Sequence, residues 1–474
     1  MATPSMQARA ARHGGLVRPP GPALSRGGAV RTALAVMRGR AAPFTEVFER
    51  LARDHGDIAD LRTPEHSYLV SHPDLVRQVL IDDQPMTHKG RGVEFLRLLL
   101  GNGLLTAEGD EHRAQRRRVA PAFGPDHVRS YTEAMLTSSQ QLSEDWARHA
   151  ATSNEPIDMM GEMSALALRI AGKALVGRDL EGQTSEVSRA LGDALAALRY
   201  VRVPGAAMLL RGPAPWAWRL RRAVRTLHTV MDAIIDEHRA HPERFAPIVL
   251  TRLLESVDHE GRSLSPAAVR DQVLTLLLAG HETTATLLTW AWVLLDQNPD
   301  AARRLHGEVD TLSTPLEPAA LDPLRLPYTR AVVAETLRLY PSAWAVGRRY
   351  TGQGSLRGYR VPDGTEVLVS QWVLHRDPRW WGPDVLDFRP QRWLTDQGFD
   401  PRAPGQPHRA YVPFGAGRRV CVGEQFAWTE ATLVLACLAR TWAPTLTTPG
   451  PVPVDPAITL RPRGPVPMRV QARC

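Results

Sequence analysis

Four polar side chains, His281 to Thr284, interrupt an apolar stretch that runs from Leu276 to Leu288 (LLLAGHETTATLL). A helix this apolar is expected to be buried, and a buried carboxylate or hydroxyl costs several kcal/mol unless it has a hydrogen-bond partner. Ala279 and Gly280 come just before the block, and small residues in a helix leave room for a group against the backbone. Thr283 lies one turn along the same side. The pattern therefore predicts a ligand plane beside this helix.

Two other interpretations of the block exist. A zinc-protease motif that begins with His281-Glu282 needs a second histidine four residues after the first, and position 285 is alanine, which excludes it. Alternatively, Thr283 and Thr284 donate hydrogen bonds back to carbonyls one turn earlier and have only a structural role. The residues of this stretch alone leave that alternative open.

A glycine-rich segment near the C-terminus, YVPFGAGRRVCVGEQFAW (411–428), places a cysteine at the start of a predicted helix. Its pattern consists of Phe414, Gly417, Arg419, Cys421 and Gly423. A helix N-terminus lowers the pKa of a thiol and stabilises the thiolate. Thiolate is a strong axial ligand for haem iron, and Arg419 is placed to reach an acidic group of such a cofactor. A lone cysteine is more often a small buried hydrophobe, so this prediction depends on the complete pattern.

The elements that must position these residues are mostly helical. Apolar spacing near 3.6 residues predicts helices over 125–150, 158–176, 184–199, 216–240, 266–297, 299–311, 328–340 and the stretch after Cys421. Strands are predicted in a hairpin over 57–71, at 355–360 and 365–370 around the turn 361–364, and in a C-terminal hairpin over 456–472. The sequence therefore predicts a mainly α fold with a smaller β region.

The helix that carries the polar block has well-defined ends. Ser265 is a favourable N-cap, Pro266 suits the first helical position, and Asn298-Pro299 stops the helix. About 32 residues at ~1.5 Å rise give a length of about 48 Å, enough to cross the whole molecule. The polar block is therefore expected near its centre.

Composition narrows the class of protein. The 474-residue chain has 43% hydrophobic and 23% charged residues, as expected for a globular protein with a large core. Its net charge of +8 favours acidic partners, but no zinc-finger spacing, basic heptad or RNA-binding aromatic signature predicts nucleic-acid binding. Three cysteines are too few for a disulfide framework, and no apolar run reaches the ~20 residues that span a bilayer. We expect a cytoplasmic protein without a transmembrane anchor, with a mobile tail over 1–18 and a single domain over 19–474.

Four motifs, in order along the chain, resemble those of the cytochrome P450 family. They are AGHETT (279–284), the pair Glu335 and Arg338 in ETLR, FRPQRW (388–393), and the cysteine segment around Cys421. The resemblance implies the cytochrome P450 fold, with haem b (iron protoporphyrin IX) between a long central helix and a Cys-bearing loop and helix. It also implies a buried structural cluster in which Arg392 joins Glu335 and Arg338.

The resemblance assigns roles to the two chemical segments. Cys421 thiolate holds the iron, and oxygen binds opposite, beside Ala279 and Gly280. Thr283 donates a hydrogen bond during oxygen activation, and Glu282 relays protons with water. Thr284 supports the helix through a bond to its backbone, and His281 receives no role. Four side chains are candidates for the haem propionates: His112, Arg116, Arg348 and Arg419.

Partners and substrate follow from the same resemblance. A candidate docking patch for a ferredoxin or similar acidic electron donor, with its reductase, consists of basic residues. They point away from the haem or lie beside the cysteine: Arg113, Arg117, Arg118 and Arg418. By family position, a pocket for an apolar small molecule draws on Phe95, Leu99, Leu276, Trp344, Ala345, Val346 and Leu460. We expect a monomeric monooxygenase in secondary metabolism, with a terpene as the favoured substrate class and with fatty acids and macrolide-like intermediates left open.

Two other functional classes stay open at this stage. A haem-thiolate isomerase or peroxygenase uses the same cysteine loop without a proton relay, and the intact Glu282-Thr283 pair argues against it. A haem-based sensor or binding protein needs no relay either and would show no turnover driven by a nicotinamide cofactor.

Overall fold

A computed structural model describes residues 17–22, 43–63, 66–180, 184–198, 215–245, 248–257, 261–312 and 322–473. Its α-helices are α1 (Phe44–His55), α2 (Pro73–Arg77), α3 (Arg91–Leu100), α4 (Gly109–Val119), α5 (Pro125–Ser130), α6 (Thr132–Thr152), α7 (Met159–Val176), α8 (Thr184–Leu198), α9 (Pro215–Ala240), α10 (Val249–Glu255), α11 (Pro266–Gln297), α12 (Pro299–Val309), α13 (Pro327–Leu339), α14 (Gln371–Leu374), α15 (Pro378–Trp381) and α16 (Glu424–Ala439).

The strands are short and belong to several small sheets. They are β1 (Ile58–Asp60), β2 (Ser67–Val70), β3 (Thr87–Lys89), β4 (Ile157–Asp158), β5 (Val346–Tyr350), β6 (Gly354–Leu356), β7 (Tyr359–Val361), β8 (Glu366–Val369), β9 (Leu394–Thr395), β10 (Gly398–Phe399), β11 (Thr445–Leu446), β12 (Val454–Pro456), β13 (Leu460–Pro462) and β14 (Pro467–Arg469). The prediction of a mainly α fold with a smaller β region is confirmed.

The chain forms two compact units, each built from separate stretches of sequence. The first unit comprises residues 1–95, 343–385 and 407–421. Its main sheet has the order β1-β2-β8-β5-β3, in which β2 and β8 are parallel and the other neighbours are antiparallel. α1 packs against β1, β2 and α14, and its Phe48 ring lies 5.5 Å from the ring of Trp344. This unit carries Cys421.

The second unit comprises residues 96–342, 386–406 and 422–474 and is mainly helical. α11 packs along α7, and α16 packs against α6, α11 and α13. The N-terminus of α11 is as predicted: Pro266 is its first residue, and the hydroxyl of Ser265 accepts a hydrogen bond from the Ala268 amide at 3.2 Å. This unit carries the whole polar block.

Several predicted boundaries differ from the structure. The turn predicted at 361–364 is present between β7 and β8, but the single strand predicted over 355–360 is a hairpin of β6 and β7 (354–361), and β8 joins the main sheet between β2 and β5. The two-residue turn of the β6–β7 hairpin is Arg357-Gly358, and both residues have a positive φ (45° and 82°). Arginine rarely adopts a positive φ, so the sequence did not indicate this turn. The C-terminal hairpin is shorter than predicted, since β12 pairs with β13 whereas β14 pairs with β11 and β4.

The helix predicted over 125–150 is broken at Tyr131 into α5 and α6. Most of the tail predicted over 1–18 lies outside the described residues. Val17 and Arg18 lie inside them and are joined to the first unit: Val17 pairs with Tyr359, and Arg18 forms an ion pair with Asp60 at 3.4 Å.

Candidate active site

An open stripe interrupts the buried surface of α11. Residues 272–278 and 284–295 are buried, whereas Ala279 is exposed and Gly280 and Thr283 are partly exposed. A Cβ atom built on Gly280 would meet nothing within 4 Å. Small residues one turn from a threonine thus leave a gap beside the backbone at the middle of a 32-residue helix, where the sequence predicted a ligand plane.

Glu282 faces away from the stripe into the protein. Its Oε1 accepts a hydrogen bond from the hydroxyl of Thr459 at 2.8 Å and lies 3.8 Å from Nε of Arg461. Burial raises the pKa of Glu282, while the Thr459 hydrogen bond and the positive charge of Arg461 act in the opposite direction. A buried acid with a raised pKa is suited to hold and release a proton.

The two threonines of the block have different hydrogen-bond partners. Thr283 is the one bonded to its own helix, since its hydroxyl donates to the carbonyl of Ala279 at 2.6 Å. Thr284 was expected to bond to the helix backbone, and this is wrong: its hydroxyl donates to Glu430 on α16 at 3.1 Å. Glu430 is buried, so its carboxyl oxygen needs a hydrogen-bond donor, which Thr284 supplies. The same burial raises the pKa of Glu430 to about 8.

His281, which received no predicted role, is buried against α7. Burial lowers its pKa to about 4; the charge of Arg461 acts in the same direction, and a hydrogen bond with the backbone of Ser164 opposes both. Its Nδ1 atom is buried without a hydrogen-bond partner among the described residues. His281 is therefore a neutral imidazole at physiological pH.

The cysteine segment of the first unit is a tightly bonded loop. The amide of Cys421 donates to the carbonyl of Phe414 at 3.0 Å, and the amide of Val412 donates to Nε2 of His375 at 3.0 Å. Gly417 has a φ of +74°, and a Cβ there would lie 2.5 Å from the carbonyl oxygen of Leu80, so only glycine fits. Cys421 itself is exposed and forms no disulfide. α16 begins three residues later, with Gly423 as its N-cap.

Two predicted propionate ligands of the first unit adjoin the same strand. Arg348 on β5 is opposite Lys89 of β3 and is 6% exposed. Arg419 donates from Nη2 to the carbonyl of Thr87, also on β3, at 3.0 Å. Arg348 is therefore a neighbour of β3 in the sheet, with its Nη1 atom donating to the carbonyl of Gly347 at 2.9 Å, whereas the guanidinium of Arg419 is bonded to β3 itself.

The other two predicted propionate ligands lie on α4 of the second unit. His112 is buried and Arg116 is partly exposed, whereas Arg113 and Arg117 are exposed. The pair His112 and Arg116 therefore lies on a different face of α4 from the pair Arg113 and Arg117, as expected. Arg113 forms an ion pair with Asp110.

The remaining members of the predicted docking patch differ in setting. Arg118 is partly exposed, and its Nη2 atom donates to the carbonyl of Arg262 at 3.3 Å. Arg418, in the first unit, is exposed.

The predicted structural cluster is present in full. Oε1 and Oε2 of Glu335 accept from Nη2 and Nε of Arg338, both at 2.9 Å, and Nε of Arg392 donates to Oε1 at 2.9 Å. Two donors were not predicted: the indole of Trp393 at 2.9 Å and the amide of Arg389 at 3.0 Å. Glu335 and Arg338 are fully buried, and the bonds that Glu335 accepts from Arg389, Arg392 and Trp393 fix α13 to the segment 389–393.

The predicted pocket residues separate into two groups. Leu99, Leu276, Trp344 and Leu460 are buried, and Trp344 packs on Phe48 in the core of the first unit. Phe95, Ala345 and Val346 are partly exposed. The side chain of Leu460 is fully buried, and its backbone carbonyl accepts a hydrogen bond from the indole of Trp290 at 2.7 Å.

Comparison with known proteins decides the family. The cytochrome P450 family model matches residues 27–464. The chain belongs to the cytochrome P450 family. It is 38% identical over 391 residues to cyclooctatin synthase of Streptomyces melanosporofaciens, covering 82% of this chain and 83% of that protein.

Two further relatives are similar over comparable lengths. Cyclooctat-9-en-7-ol 5-monooxygenase from the same organism is 34% identical, covering 82% of each chain. Pentalenene oxygenase of Streptomyces avermitilis is 34% identical over 412 residues, covering 86% of this chain and 87% of that protein. This cytochrome P450 is a monooxygenase, an oxidoreductase that requires haem iron, O2 and electrons from a redox partner.

The residues present fit haem. The exposed thiol of Cys421, the glycine-only loop around it and the cations at β3 suit an iron ligand and propionate carboxylates. The open stripe of α11 has room beside the backbone at Gly280. Among the described residues, none of the helices has the length and apolar character needed to span a membrane.

Sequence reasoning missed the partners that hold the polar block. Thr459, Arg461, Glu430 and Ser342 contact it, and each lies far from it in the chain. No local pattern marks these residues. The only available signal was the need of a buried carboxylate for a donor, which predicts that a partner exists but not which one.

Proposed function

We propose that this cytochrome P450 hydroxylates a terpene, inserting one atom of O2 into an unactivated C–H bond. The observation that carries the proposal is the open stripe of α11 with a buried acid directly behind it. A haem protein that only senses or binds a ligand has no need for a carboxyl whose pKa is raised beside the oxygen-binding position. The relatives named for cyclooctat-9-en-7-ol and pentalenene support the substrate class.

The bound cofactor, which we propose is haem b, supplies oxygen activation and electron storage. Cys421 would hold its iron, and His112, Arg116, Arg348 and Arg419 are the proposed propionate partners. Each of these four side chains is at least partly buried, which strengthens a charge-assisted bond relative to one at an exposed site.

The proton path uses two neighbouring residues of α11. Glu282 holds a proton at Oε1 or Oε2, and water carries it to the hydroxyl of Thr283. A hydroxyl has one proton to donate, and in the structure that proton is directed to the carbonyl of Ala279. Thr283 therefore acts by turning its hydroxyl from the carbonyl toward the open stripe while Glu282 replaces the proton.

Electrons come from a separate protein in this proposal. The docking surface is basic, and the exposed Arg113 and Arg117 of α4 and Arg418 of the cysteine loop are its candidate residues. An acidic ferredoxin with its reductase fits this charge. Arg118 is omitted because its guanidinium bonds to the Arg262 carbonyl.

The substrate class is tested by titrating the ferric holoenzyme with pentalenene, with cyclooctat-9-en-7-ol and with palmitate. A terpene that displaces water from the iron shifts the haem from low to high spin. We expect the shift with a terpene at lower concentration than with palmitate. Equal or stronger response to palmitate would contradict the terpene assignment.

The proton path is tested with Thr283→Ala. We expect an unchanged reduced carbon-monoxide spectrum but a several-fold larger share of electrons released as peroxide. Thr289→Ala is the matched control, because Thr289 makes the same bond to a carbonyl one turn earlier, that of Ala285 at 2.7 Å, from a fully buried position. Unchanged coupling in Thr283→Ala, or equal loss in both variants, would refute the role.

A further inference from the structure

The C-terminal hairpin of β12 and β13 is joined to the polar block of α11. The turn between the strands provides Thr459, whose hydroxyl donates to Oε1 of Glu282 at 2.8 Å. The second strand provides Arg461, whose Nε lies 3.8 Å from the same oxygen. Both side chains come from the second unit, as does Glu282. Two residues of one hairpin therefore act on a single carboxylate.

The hairpin is held in place by the residue between these two. Leu460 is fully buried, its amide donates to the carbonyl of Ser342 at 3.0 Å, and its carbonyl accepts from the indole of Trp290 at 2.7 Å. The hydroxyl of Ser342 in turn donates to the backbone carbonyl of Thr283 at 2.9 Å. Hydrogen bonds thus fix the hairpin to α11 at Trp290 and, through Ser342, at Thr283, next to Glu282, so Thr459 and Arg461 have little freedom to move relative to it.

Arg461 reaches solvent, whereas the carboxylate it contacts is buried. Its side chain is 36% exposed, whereas that of Glu282 is 5% exposed. Arg461 is the charged side chain that acts on Glu282 among the described residues, and the adjacent His281 is neutral because its pKa is about 4. The contact with Arg461 therefore connects the buried carboxylate to the surface.

We propose that Thr459 and Arg461 are positioning residues for Glu282, and that protons from solvent reach Glu282 on the side of Arg461. Both contacts fall on Oε1, so the proposal assigns that oxygen to holding the side chain and Oε2 to passing the proton. The inference rests on the proposed function, in which Glu282 supplies protons to Thr283. It adds a hairpin far from α11 in the sequence to the residues that control proton supply.

The first test observes Glu282 directly, without turnover. Infrared difference spectra of the ferric holoenzyme are recorded across a pH titration, and the carboxyl C=O band of Glu282 is assigned by its loss in Glu282→Gln. Arg461→Gln removes a positive charge and Thr459→Val removes a donor, and both groups favour the ionised carboxylate. We expect the protonated band to persist to higher pH in both variants and to return toward the natural position in Thr459→Ser.

Matched controls come from the same region of the chain. Arg463 is an exposed arginine directly after β13 that bonds to the carbonyl of Val454, and Thr447 is an exposed threonine that bonds to the carbonyl of Pro467. Arg463→Gln and Thr447→Val should leave the Glu282 band where it is. A band that does not move in Arg461→Gln, or that moves equally in Arg463→Gln, overturns the proposal.

The second test measures proton supply during turnover. We expect Arg461→Gln and Thr459→Val to release a several-fold larger share of electrons as peroxide, with a larger solvent deuterium effect than the natural chain and an altered pH profile. A merely structural role of the hairpin would change substrate binding but not the solvent isotope effect.

The two tests separate this inference from the proposed function. If the infrared band moves as expected but Glu282→Gln itself couples normally, the proton role of Glu282 fails while the positioning contacts stand. If Glu282→Gln uncouples but Arg461→Gln and Thr459→Val neither move the band nor uncouple, the positioning proposal fails and the proton role stands.

Discussion

The buried carboxylate Glu335 allows a stability prediction with an internal control. Glu335→Gln keeps the shape of the side chain but removes the charge that faces Arg338 and Arg392. Arg338 is fully buried, so its guanidinium would remain without a compensating charge in a region of low dielectric. Breaking one partner of a buried pair costs about 3 to 5 kcal/mol. Domains commonly have only about 5 to 15 kcal/mol of stability, so the loss would be a large share.

Asp300 and Arg303 provide the control because they form an acid–arginine pair with the same i,i+3 spacing on α12. Their side chains are 84% and 72% exposed, so Asp300→Asn should cost at most about 1 kcal/mol. The assay is urea unfolding followed by far-ultraviolet circular dichroism on both variants and the natural chain. We expect a large fall in the urea midpoint for Glu335→Gln and a small one for Asp300→Asn. Equal shifts would refute the reasoning that burial, rather than spacing, determines how much the Glu335–Arg338 pair stabilises the fold.

Three further perturbations have directions set by the structure. Burial raises the pKa of Glu430 from 4.5 to about 8. Between these pH values the unfolded chain loses a proton that the folded chain keeps, so the stability of the fold decreases as pH rises. Glu430→Gln should therefore raise the melting temperature near pH 8 but not near pH 4.5. His281 has its pKa lowered from 6.5 to about 4, so its contribution to stability is lost as pH falls between those values, and His281→Gln should flatten the acid side of the melting-temperature profile. Arg113→Glu combined with Arg117→Glu should slow electron transfer from an acidic ferredoxin and weaken its salt dependence in stopped-flow measurements, and unchanged rates would exclude α4 from the docking surface.

Features that depend on nearby residues were predictable from the sequence. The N-cap at Ser265 and the pairing of Glu335 with Arg338 follow from spacing within one helix. The open side of α11 also followed from local pattern, since Ala279 and Gly280 are small and Thr283 lies one turn further on. These features need no knowledge of the tertiary fold.

Features that depend on distant residues were not predictable. Thr459 lies 177 positions from Glu282, and Glu430 lies 146 positions from Thr284, so the packing of α16 and the C-terminal hairpin on α11 decides both contacts. The wrong partner expected for Thr284 has the same cause, because only the fold shows which hydroxyl faces a buried carboxyl. The β6–β7 turn was missed for a different reason: Arg357 adopts a positive φ that its residue type does not favour.

The central claim is that this cytochrome P450 inserts one atom of O2 into a terpene. The most direct measurement is turnover of pentalenene and of cyclooctat-9-en-7-ol under 18O2, with an acidic ferredoxin and its reductase, followed by mass spectrometry. We expect a hydroxylated product that carries one 18O atom from one of these terpenes, formed in proportion to electrons consumed. A product without 18O, or an isomer formed without electrons or oxygen, would contradict it.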